Sequence, residues 1–247
     1  MKISIITVCY NSAQTIQKTF NSITNQTYTN IEYIVVDGGS TDDTISLIKK
    51  NEKNISKWIS EPDKGLYDAM NKGIKLATGD LVGILNSDDS FLDTQVLKKV
   101  ANFHSQNKVD ASIGNIIQHN TKGEIKRRYS AENWSPEKLK IGFMPPHPAI
   151  FFNKILFDRF KSYRLDFKIG ADYELITRFF LRHKISWMYS EITTTAMLIG
   201  GVSSSGLDSY QLISKEIKKA LELNDISFWY PEIYFRGFWK IKGFLKR

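Results

Sequence analysis

Cysteine is almost absent from this sequence. Cys9 is the only one among 247 residues, so the chain forms no intrachain disulfide and has no zinc site built from several cysteines. Such a composition is typical of a protein from a reducing compartment. We interpret Cys9 as a small buried strand residue.

Long apolar runs are also missing. No stretch approaches the roughly 18 consecutive apolar residues that a membrane-spanning helix needs, and the apolar run at residues 3–9 is too short for the core of a signal peptide. We therefore expect a soluble cytoplasmic protein, or one that binds peripherally to the inner face of the cytoplasmic membrane.

Two glycine-rich nucleotide motifs do not occur. No Gly-x-Gly-x-x-Gly follows the first apolar run, and no Gly-x-x-x-x-Gly-Lys-Ser/Thr is found anywhere. The first motif is typical of dinucleotide-binding dehydrogenases, and the second of P-loop kinases and ATPases. Their absence argues against these three classes of enzyme.

Acidic residues are too few to balance the basic ones. The chain has 34 Lys and Arg against 26 Asp and Glu, a formal net charge of +8. This excess predicts an acidic partner, such as nucleic acid, an anionic membrane surface or a phosphorylated ligand. The length predicts one large domain, or one domain with an appendage.

The first hundred residues alternate between strand-type and helix-type patterns. The β-branched run at residues 3–9 predicts a strand buried on both faces. Residues 32–36 and 55–59 and the short apolar run at 81–85 predict three further strands. Helical periodicity lies between them, so we expect an α/β domain, because parallel strands need crossover helices. The later elements predicted are a hairpin over 111–119 and 124–129, an apolar run at 149–152, a helix over 172–183, a strand over 185–189, a loop at 200–206 and a helix over 207–223.

A polar cluster follows each of the first four predicted strands. The clusters are Tyr10-Asn11, Asp37, residues 61–65 and residues 86–89. Ligands of such sheets bind beyond the carboxyl ends of the strands. The clusters therefore mark the predicted ligand site.

Two of these clusters carry adjacent acids, and each has two interpretations. Residues 86–89, Asn-Ser-Asp-Asp, place carboxylates in a turn, and Mg²⁺ typically takes one or two protein carboxylates plus phosphate oxygens of a substrate. The same residues are ordinary turn and helix-cap chemistry. Asp37 with residues 38–44 is likewise either a ligand contact or a turn followed by a helix cap.

Taken together, the clusters resemble the ordered motifs of family 2 glycosyltransferases. The matching segments are ISIITVCYNS at 3–12, VVDGGSTDDT at 35–44, DKGLYDAMN at 63–71, LNSDD at 85–89 and GADYELITR at 170–178. The resemblance implies a GT-A type α/β fold, a Rossmann-like mixed sheet flanked by helices. It covers about residues 1–205, divided into a nucleotide-sugar-binding half (1–110) and an acceptor-binding half (111–205). Residues 206–247 then form a C-terminal helix and an aromatic, basic tail.

The resemblance also implies the chemistry, an inverting transfer from a nucleotide-diphosphate sugar with Mn²⁺ or Mg²⁺. Asp37 matches the aspartate that contacts the nucleotide base, Asp88 the acid that meets metal and diphosphate, and Asp172 the general base. The other donor-site candidates are Thr7, Tyr10, Asn11, Lys64, Asn86 and Ser87, and Asp89 is grouped with the acceptor site.

Three positions depart from the family pattern. Gly38 stands where the family often has a second Asp after Asp37, Asn86 replaces the first acid of Asp-x-Asp, and Ala171 replaces a Glu before Asp172. Base recognition and the contact with ribose or donor sugar are therefore expected to differ in detail, whereas Asp172 remains the candidate base.

Two further features are open to two interpretations each. His147, between two prolines, is either a contact for acceptor or diphosphate or a structural histidine. Residues 200–206 are small and flexible in composition, which fits a lid that closes over the donor or an ordinary surface loop.

The segment from residue 227 onward interleaves aromatic and basic residues. Its last fifteen residues contain five Lys and Arg and no acid. This pattern is typical of an interfacial helix that lies on anionic lipid. A helix packed on the domain or a dimer contact would show the same pattern, so the oligomeric state stays open.

The leading hypothesis is a hexosyl- or N-acetylhexosaminyltransferase. It would move sugar to a hydroxyl of a glycan or lipid-linked acceptor in bacterial cell-surface polysaccharide synthesis. A metal-dependent nucleotidyltransferase is one alternative, although its usual glycine-rich N-terminal loop is missing. The other is a non-enzymatic nucleic-acid or membrane-surface module that uses the basic tail. No nucleic-acid-binding motif is found, so we expect no nucleic-acid partner.

Overall fold

The computed structural model describes residues 1–199 and 206–233, and it divides the chain into two compact units. The first comprises Met1–Glu132, Pro146–Tyr163 and Ser186–Ile199, and the second Asn133–Pro145, Arg164–Ile185 and Gly200–Arg247. Residues 200–205, which hold the predicted domain boundary and all but the last residue of the segment predicted as a lid or a surface loop, lie outside the described residues, as does the tail from residue 234. The predicted division at residue 205 therefore stays a prediction.

The first unit contains a mixed sheet. Its strands are β1 Ile3–Cys9, β2 Ile31–Asp37, β3 Lys57–Ser60, β4 Leu81–Ile84, β5 Ser90–Phe91, β6 Ala111–His119, β7 Ile125–Tyr129, β8 Ile150–Asn153 and β9 Trp187–Leu198, in the order β3-β2-β1-β4-β8-β6-β9-β5 with β7 on β6. The first four strands run parallel, whereas β8 is antiparallel to both of its neighbours. The mixed α/β fold is as predicted.

Helices of this unit cover both faces of the sheet. They are α1 Ile16–Thr24, α2 Thr44–Lys50, α3 Leu66–Leu76, α4 Val96–Gln106 and α5 Ile155–Phe160. Ile5 of β1 belongs to a buried cluster with residues of α1 and α4. On the other face Ile6 meets α3, and a Cβ at Gly73 would lie 2.4 Å from its Cγ2. Because both faces are covered, β1 is buried along its whole length, and its two polar side chains, Ser4 and Thr7, make hydrogen bonds inside the protein.

A buried carboxylate joins the strand ends far from the polar clusters. Glu32 accepts hydrogen bonds from the Ser4 hydroxyl (2.7 Å), the Thr78 N–H (2.7 Å) and the Lys57 ammonium (2.9 Å). Burial by itself would raise the pKa of Glu32, but these hydrogen bonds outweigh it and hold the pKa well below its usual range. The network therefore ties β1, β2 and β3 to the residues that lead into β4.

The second unit contains α6 Ala171–Thr177, which continues as one wider helical turn over Arg178–Arg182, and α7 Gly206–Leu223. Trp134 packs edge-on against Phe180, with ring centroids 5.3 Å apart. The Tyr173 hydroxyl donates to the Leu139 carbonyl. The helices predicted over 172–183 and 207–223 are confirmed to within one residue at each end.

The predictions missed or misplaced several elements. The sequence pattern predicts a second helix over residues 41–51, but α2 begins at Thr44, because the Asp42 carboxylate accepts the Thr44 N–H (3.0 Å) and so closes the turn before it. Strand β9 continues to Leu198 instead of ending at 189. Near Glu191, which has φ 61°, the pairing of β9 with β6 is irregular. The alternation of apolar and polar residues that would predict a strand is therefore interrupted.

Candidate active site

The carboxyl ends of three adjacent strands bring the predicted clusters together. Cys9 at the end of β1 pairs with Asp37 at the end of β2, and β4 runs parallel on the other side of β1. The Ser12 and Ser87 hydroxyl oxygens lie 2.9 Å apart. The loops after β1, β2 and β4 therefore form one edge of the first unit, as predicted from their positions along the chain.

Asp37 is fully buried and organises the turn that follows β2. One carboxylate oxygen accepts the N–H groups of Gly39 (3.1 Å) and Ser40 (3.0 Å) and the Ser60 hydroxyl (2.7 Å). The other accepts the Ser40 hydroxyl. These bonds are those of a turn residue, and a direct contact between Asp37 and a nucleotide base stays a prediction.

Cys9 is buried beside Asp37. Burial raises the pKa of its thiol, and the negative charge of Asp37 raises it further. The thiol therefore stays protonated and unreactive. The interpretation of Cys9 as a small buried strand residue is confirmed.

The three candidates on and after β1 differ in exposure. Thr7 has no exposed surface, and its hydroxyl donates to the Leu85 carbonyl (2.8 Å), so it frames the site from inside and its side chain offers nothing to a ligand. The Tyr10 ring is 63% exposed at the strand end. Asn11 adopts φ 50°, and its side-chain oxygen accepts the Thr41 N–H (2.9 Å). Of the three, Tyr10 has the side chain most available to a ligand.

Lys64 lies in a loop that packs against the turn after β2. The loop is shaped by Asp63, whose carboxylate accepts the Gly65 N–H (2.7 Å). A Cβ at Gly38 would lie 2.4 Å from the same carboxylate, which explains why glycine follows Asp37 here. The Lys64 side chain is exposed beside this contact, so its predicted role at the donor remains open to test.

The turn after β4 presents one available carboxylate. Asp88 is half-buried, and no hydrogen bond joins its carboxylate to any residue within the described ranges. Asn86 has a buried side-chain oxygen without a hydrogen-bond partner there. The Thr19 hydroxyl donates to the Asp89 carbonyl (2.7 Å) and holds the turn against α1.

Asp89 is unlike Asp88, since it is only 1% exposed. Burial, with a further contribution from the Asp88 charge, raises the pKa of Asp89 to about 8. One of its oxygens accepts the Leu198 N–H (3.3 Å), and the other has no partner among the described residues. Asp89 therefore lies beneath the turn, and its predicted place at the acceptor site remains untested.

The oxygen atoms at this turn are of the type that binds a hard divalent cation whose remaining ligands come from a substrate. Asp88 offers a carboxylate, and the buried, unpartnered side-chain oxygen of Asn86 is of the amide type that a hard cation accepts. Within the part of the chain that the structure describes, no group of three His, Cys, Asp or Glu side chains could hold a metal. A cation held by one carboxylate and phosphate oxygens needs no such cage.

His147 is held by an aromatic neighbour in the first unit. Its Nε2 lies 2.7 Å from the Tyr163 hydroxyl, and the Tyr67 ring stacks on Tyr163 with centroids 5.6 Å apart. The Asn71 side chain in turn bonds both the N–H and the carbonyl of Tyr163, each at 2.8 Å. This arrangement fits the structural interpretation of His147, and a ligand contact stays a prediction.

Asp172 lies in the second unit, in the first turn of α6, and is half-buried. One of its oxygens accepts the N–H of Tyr173 (2.7 Å). The helical pattern around Asp172 predicts Glu174 on the helix surface, but Glu174 is buried and makes a bidentate pair with Arg178 (3.0 and 2.8 Å). The surface interpretation is wrong, because the Arg178 guanidinium and the Asn224 amide (3.1 Å) satisfy the carboxylate inside the unit.

Sequence reasoning missed the residues that hold the site together. Ser12 and Asn71 lie inside the quoted motifs, where the sequence predicts no tertiary contact for either, and no sequence pattern distinguishes Tyr163. Position in a motif was the one signal available for the first two. Their bonds join residues 75 and 92 positions apart, and no local pattern reveals such pairs.

Comparison with known proteins decides the family. The model of the family described as "Glycosyl transferase family 2" matches residues 4–164. The chain belongs to glycosyltransferase family 2. The alternatives of a nucleotidyltransferase and of a non-enzymatic binding module are therefore set aside.

Curated relatives of this glycosyltransferase support the assignment. An uncharacterized glycosyltransferase of Mycobacterium tuberculosis is 36% identical over 178 residues, which are 71% of this chain and 68% of the relative. A PGL/p-HBAD biosynthesis glycosyltransferase of Mycobacterium bovis is 28% identical over 226 residues, 90% of this chain and 84% of the relative.

Solved structures share the GT-A type fold. TarS 1–349 of S. aureus in complex with UDP-GlcNAc has a TM-score of 0.71 at 20% identity, covering 90% of this chain and 66% of that one. The mannosyltransferase PcManGT of Pyrobaculum calidifontis, in complex with GDP-Man and Mn²⁺, has a TM-score of 0.66 at 18% identity, covering 90% and 64%. This glycosyltransferase thus spans slightly less than two thirds of either chain. No helix in its described part is long and apolar enough to cross a membrane.

Proposed function

We propose that the protein transfers a sugar, with inversion, from a nucleotide-diphosphate sugar to a hydroxyl group of a glycan or lipid-linked acceptor. The observation that carries the proposal is the available Asp88 carboxylate at the joined ends of β1, β2 and β4. Such an edge of an α/β sheet is where ligands bind.

The donor would bind at this edge. Asp88 and Asn86 would hold a divalent cation together with the diphosphate, and Tyr10, Asn11, Lys64 and Ser87 would contribute to the donor pocket. A bound Mn²⁺ or Mg²⁺ would offset the negative charge that grows on the departing diphosphate. The turn is already fixed by Ser12 and Thr19, so little ordering remains when the donor binds.

The proposed base is Asp172. As the acceptor oxygen bonds to the anomeric carbon, the bond from that carbon to the diphosphate oxygen breaks, and the acceptor proton passes to the Asp172 carboxylate. The nucleoside diphosphate leaves, and the anomeric configuration is inverted because the attack comes from the opposite face.

The class of sugar is proposed from the named relatives. TarS was solved with UDP-GlcNAc and PcManGT with GDP-Man and Mn²⁺, so a hexose or an N-acetylhexosamine is the expected group. The mycobacterial relative is named for PGL/p-HBAD biosynthesis, which supports a biosynthetic role, and we propose that this role is bacterial cell-surface polysaccharide synthesis.

The donor is tested by calorimetric titration with UDP, GDP, CDP and dTDP, each with and without Mn²⁺ or Mg²⁺. We expect one nucleotide to bind in a metal-dependent manner and to raise the melting temperature by mass action. Asp88→Asn should lose the metal-dependent part. Asp93→Asn is the matched control, since Asp93 is an exposed acid paired with Lys99. Unchanged metal-dependent binding in Asp88→Asn would refute the proposed site.

The base and the inversion are tested with the donor so identified. The anomeric configuration of the product, read by NMR coupling constants, should be opposite to that of the donor. Asp172→Asn should lower kcat by about 10²-fold or more while the nucleotide Kd stays unchanged. The exposed Asp158, paired with Lys154, provides the control variant Asp158→Asn. A retained configuration, or a fully active Asp172→Asn, would contradict the mechanism.

We also propose that the C-terminal segment contacts an anionic membrane, where a lipid-linked acceptor would lie. Trp229 is 64% and Tyr230 is 41% exposed. The sequence after them carries five basic residues and no acid over residues 234–247. Exposed aromatic rings beside basic residues suit the lipid interface.

Sedimentation with vesicles tests this contact. The full chain should bind vesicles that contain phosphatidylglycerol and not neutral ones, and Lys240→Glu with Lys242→Glu should abolish binding. The control is Lys49→Glu with Lys50→Glu, an equal change of charge at the exposed end of α2. Equal loss of binding in both double variants would indicate a general charge effect and contradict a C-terminal contact.

A further inference from the structure

Helix α7 provides a carboxylate to the loop that precedes α6. One oxygen of Glu216 accepts the Lys168 N–H (2.7 Å), and the other accepts the N–H groups of Ile169 (3.0 Å) and Gly170 (2.7 Å). Glu216 is only 8% exposed. Hydrogen bonds from backbone N–H groups to an ionised acceptor are stronger than neutral ones, so three consecutive bonds fix this part of the loop.

Gly170 permits the close approach. A Cβ at this position would lie 3.1 Å from a carboxylate oxygen of Glu216 and 3.2 Å from its Cβ. The φ angle of Gly170 is −101°, which other residues adopt readily. Space for Glu216, and not backbone conformation, is therefore what this glycine provides.

The same helix holds the segments on both sides of the loop. The Lys219 ammonium bonds the Asp166 carbonyl at 2.7 Å. Just beyond the end of α7, the Asn224 side chain donates to the Glu174 carboxylate at 3.1 Å. Residues before the loop and in the first turns of α6 thus share one support.

We propose that Glu216 is a positioning residue for Asp172. The Gly170 carbonyl accepts the Glu174 N–H (2.9 Å), so Gly170 sets where α6 begins, and Asp172 follows two residues later. By fixing the three N–H groups up to Gly170, Glu216 sets the place of the Asp172 carboxylate. The inference rests on the proposed role of Asp172 as base, and Glu216 lies outside residues 4–164, where the family model matches.

The test compares Glu216→Gln with Glu222→Gln, a control on the same helix whose exposed carboxylate pairs with Lys218. The glutamine has the same shape, but its NH₂ group faces N–H donors. Hydrogen exchange of the amides at 168–170 should therefore be at least about tenfold faster in Glu216→Gln and unchanged in the control.

Turnover is read as release of UDP or GDP from UDP-GlcNAc and GDP-mannose with Mn²⁺, with water as acceptor. Glu216→Gln should lower kcat by about 10- to 100-fold with the nucleotide Kd unchanged. In the Asp172→Asn background the same substitution should change kcat by less than about twofold, because its effect passes through Asp172.

The outcomes separate this inference from the function on which it rests. A fully active Asp172→Asn would refute the proposed base and the positioning role with it. An inactive Asp172→Asn with normal turnover in Glu216→Gln, or an equal loss in both backgrounds, would overturn the positioning role alone. If Glu216→Gln does not fold, Gly170→Ala is the second variant, because the added Cβ would push the Glu216 carboxylate away from the loop without removing it. We expect kcat to fall and the nucleotide Kd to stay unchanged in this variant too.

Discussion

The hydroxyl oxygens of Ser12 and Ser87 lie 2.9 Å apart and join the loop after β1 to the turn after β4. Thr19 supports the same turn from α1, since its hydroxyl donates to the Asp89 carbonyl at 2.7 Å. The turn that presents Asp88 is therefore anchored from two sides within the protein itself.

Ser87→Ala should loosen this turn. Loss of the bond is expected to lower the free energy of unfolding by about 1 kcal/mol and to weaken metal-dependent nucleotide binding several-fold. Urea denaturation and calorimetry measure the two effects. A double-mutant cycle with Ser12→Ala should give a coupling energy of about 0.5–1.5 kcal/mol, and strictly additive effects would contradict the bond.

Tyr163→Phe tests the contact with His147. The substitution keeps the ring that stacks on Tyr67 but removes the hydroxyl that lies 2.7 Å from the His147 Nε2. We expect the free energy of unfolding to fall by about 1 kcal/mol, with no change in nucleotide Kd.

A second variant, His147→Ala, distinguishes the two interpretations of His147. The acceptor KM should rise if the His147 ring touches a ligand, and it should stay unchanged if His147 is structural.

His104 should make stability depend on pH in a defined range. Burial lowers the pKa of His104 to about 4 in the folded protein, against about 6.5 in the unfolded chain. Between these values the unfolded state binds a proton that the folded state does not, so about 3 kcal/mol of stability present above pH 6.5 is lost as the pH falls to 4.

The measurement is urea denaturation at intervals of pH between 4.5 and 7.5. The raised pKa of Asp89 acts in the opposite direction over the same range, so the contribution of His104 is read from the difference between the wild type and His104→Gln. Relative to the variant, the wild type should lose stability as the pH falls from 6.5 to 4.5, whereas the same difference for His183→Gln, at an exposed position, should be much smaller. Parallel pH profiles of the wild type and His104→Gln would contradict the role of His104.

Gly73→Ala tests how closely α3 packs on β1. Alanine favours a helix over glycine by up to about 1 kcal/mol, but its Cβ would lie 2.4 Å from the Cγ2 of Ile6, which has no exposed surface. We expect a net destabilisation of about 1–3 kcal/mol, measured by thermal or urea unfolding. Ile6→Ala should cost less in the Gly73→Ala background than in the wild type, and a stabilised Gly73→Ala would refute the close contact.

Much of the fold could be predicted from local sequence patterns. The nearly continuous β-branched run at residues 3–9 predicts β1, because it is typical of a strand that is buried on both faces. The spacing of Ile16, Phe20 and Ile23 predicts α1, because these residues share one face of a helix. The second half of β9 was not predicted, because its irregular pairing with β6 near Glu191 interrupts the alternation of inward and outward side chains.

The meeting of the polar clusters at the candidate site could also be predicted from the sequence. Polar clusters after successive apolar runs must meet at one edge if the strands are parallel, and Asn11, Asp37 and Asp88 do so. The ordered motifs identified the family for the same reason, since each motif occupies a strand end or a helix start.

Only the tertiary structure decided which acidic side chains are buried, which are hydrogen-bonded and which stay available. The Asp37 carboxylate accepts hydrogen bonds from its own turn and from the Ser60 hydroxyl, 23 residues away. The Asp88 carboxylate stays available, and Asp89 is buried beneath it. Glu216 resembles any acid on an amphipathic helix until the N–H groups of residues 168–170 are found against it. Burial and hydrogen bonding depend on partners distant in the chain, and periodicity reports only on neighbours within a turn or two.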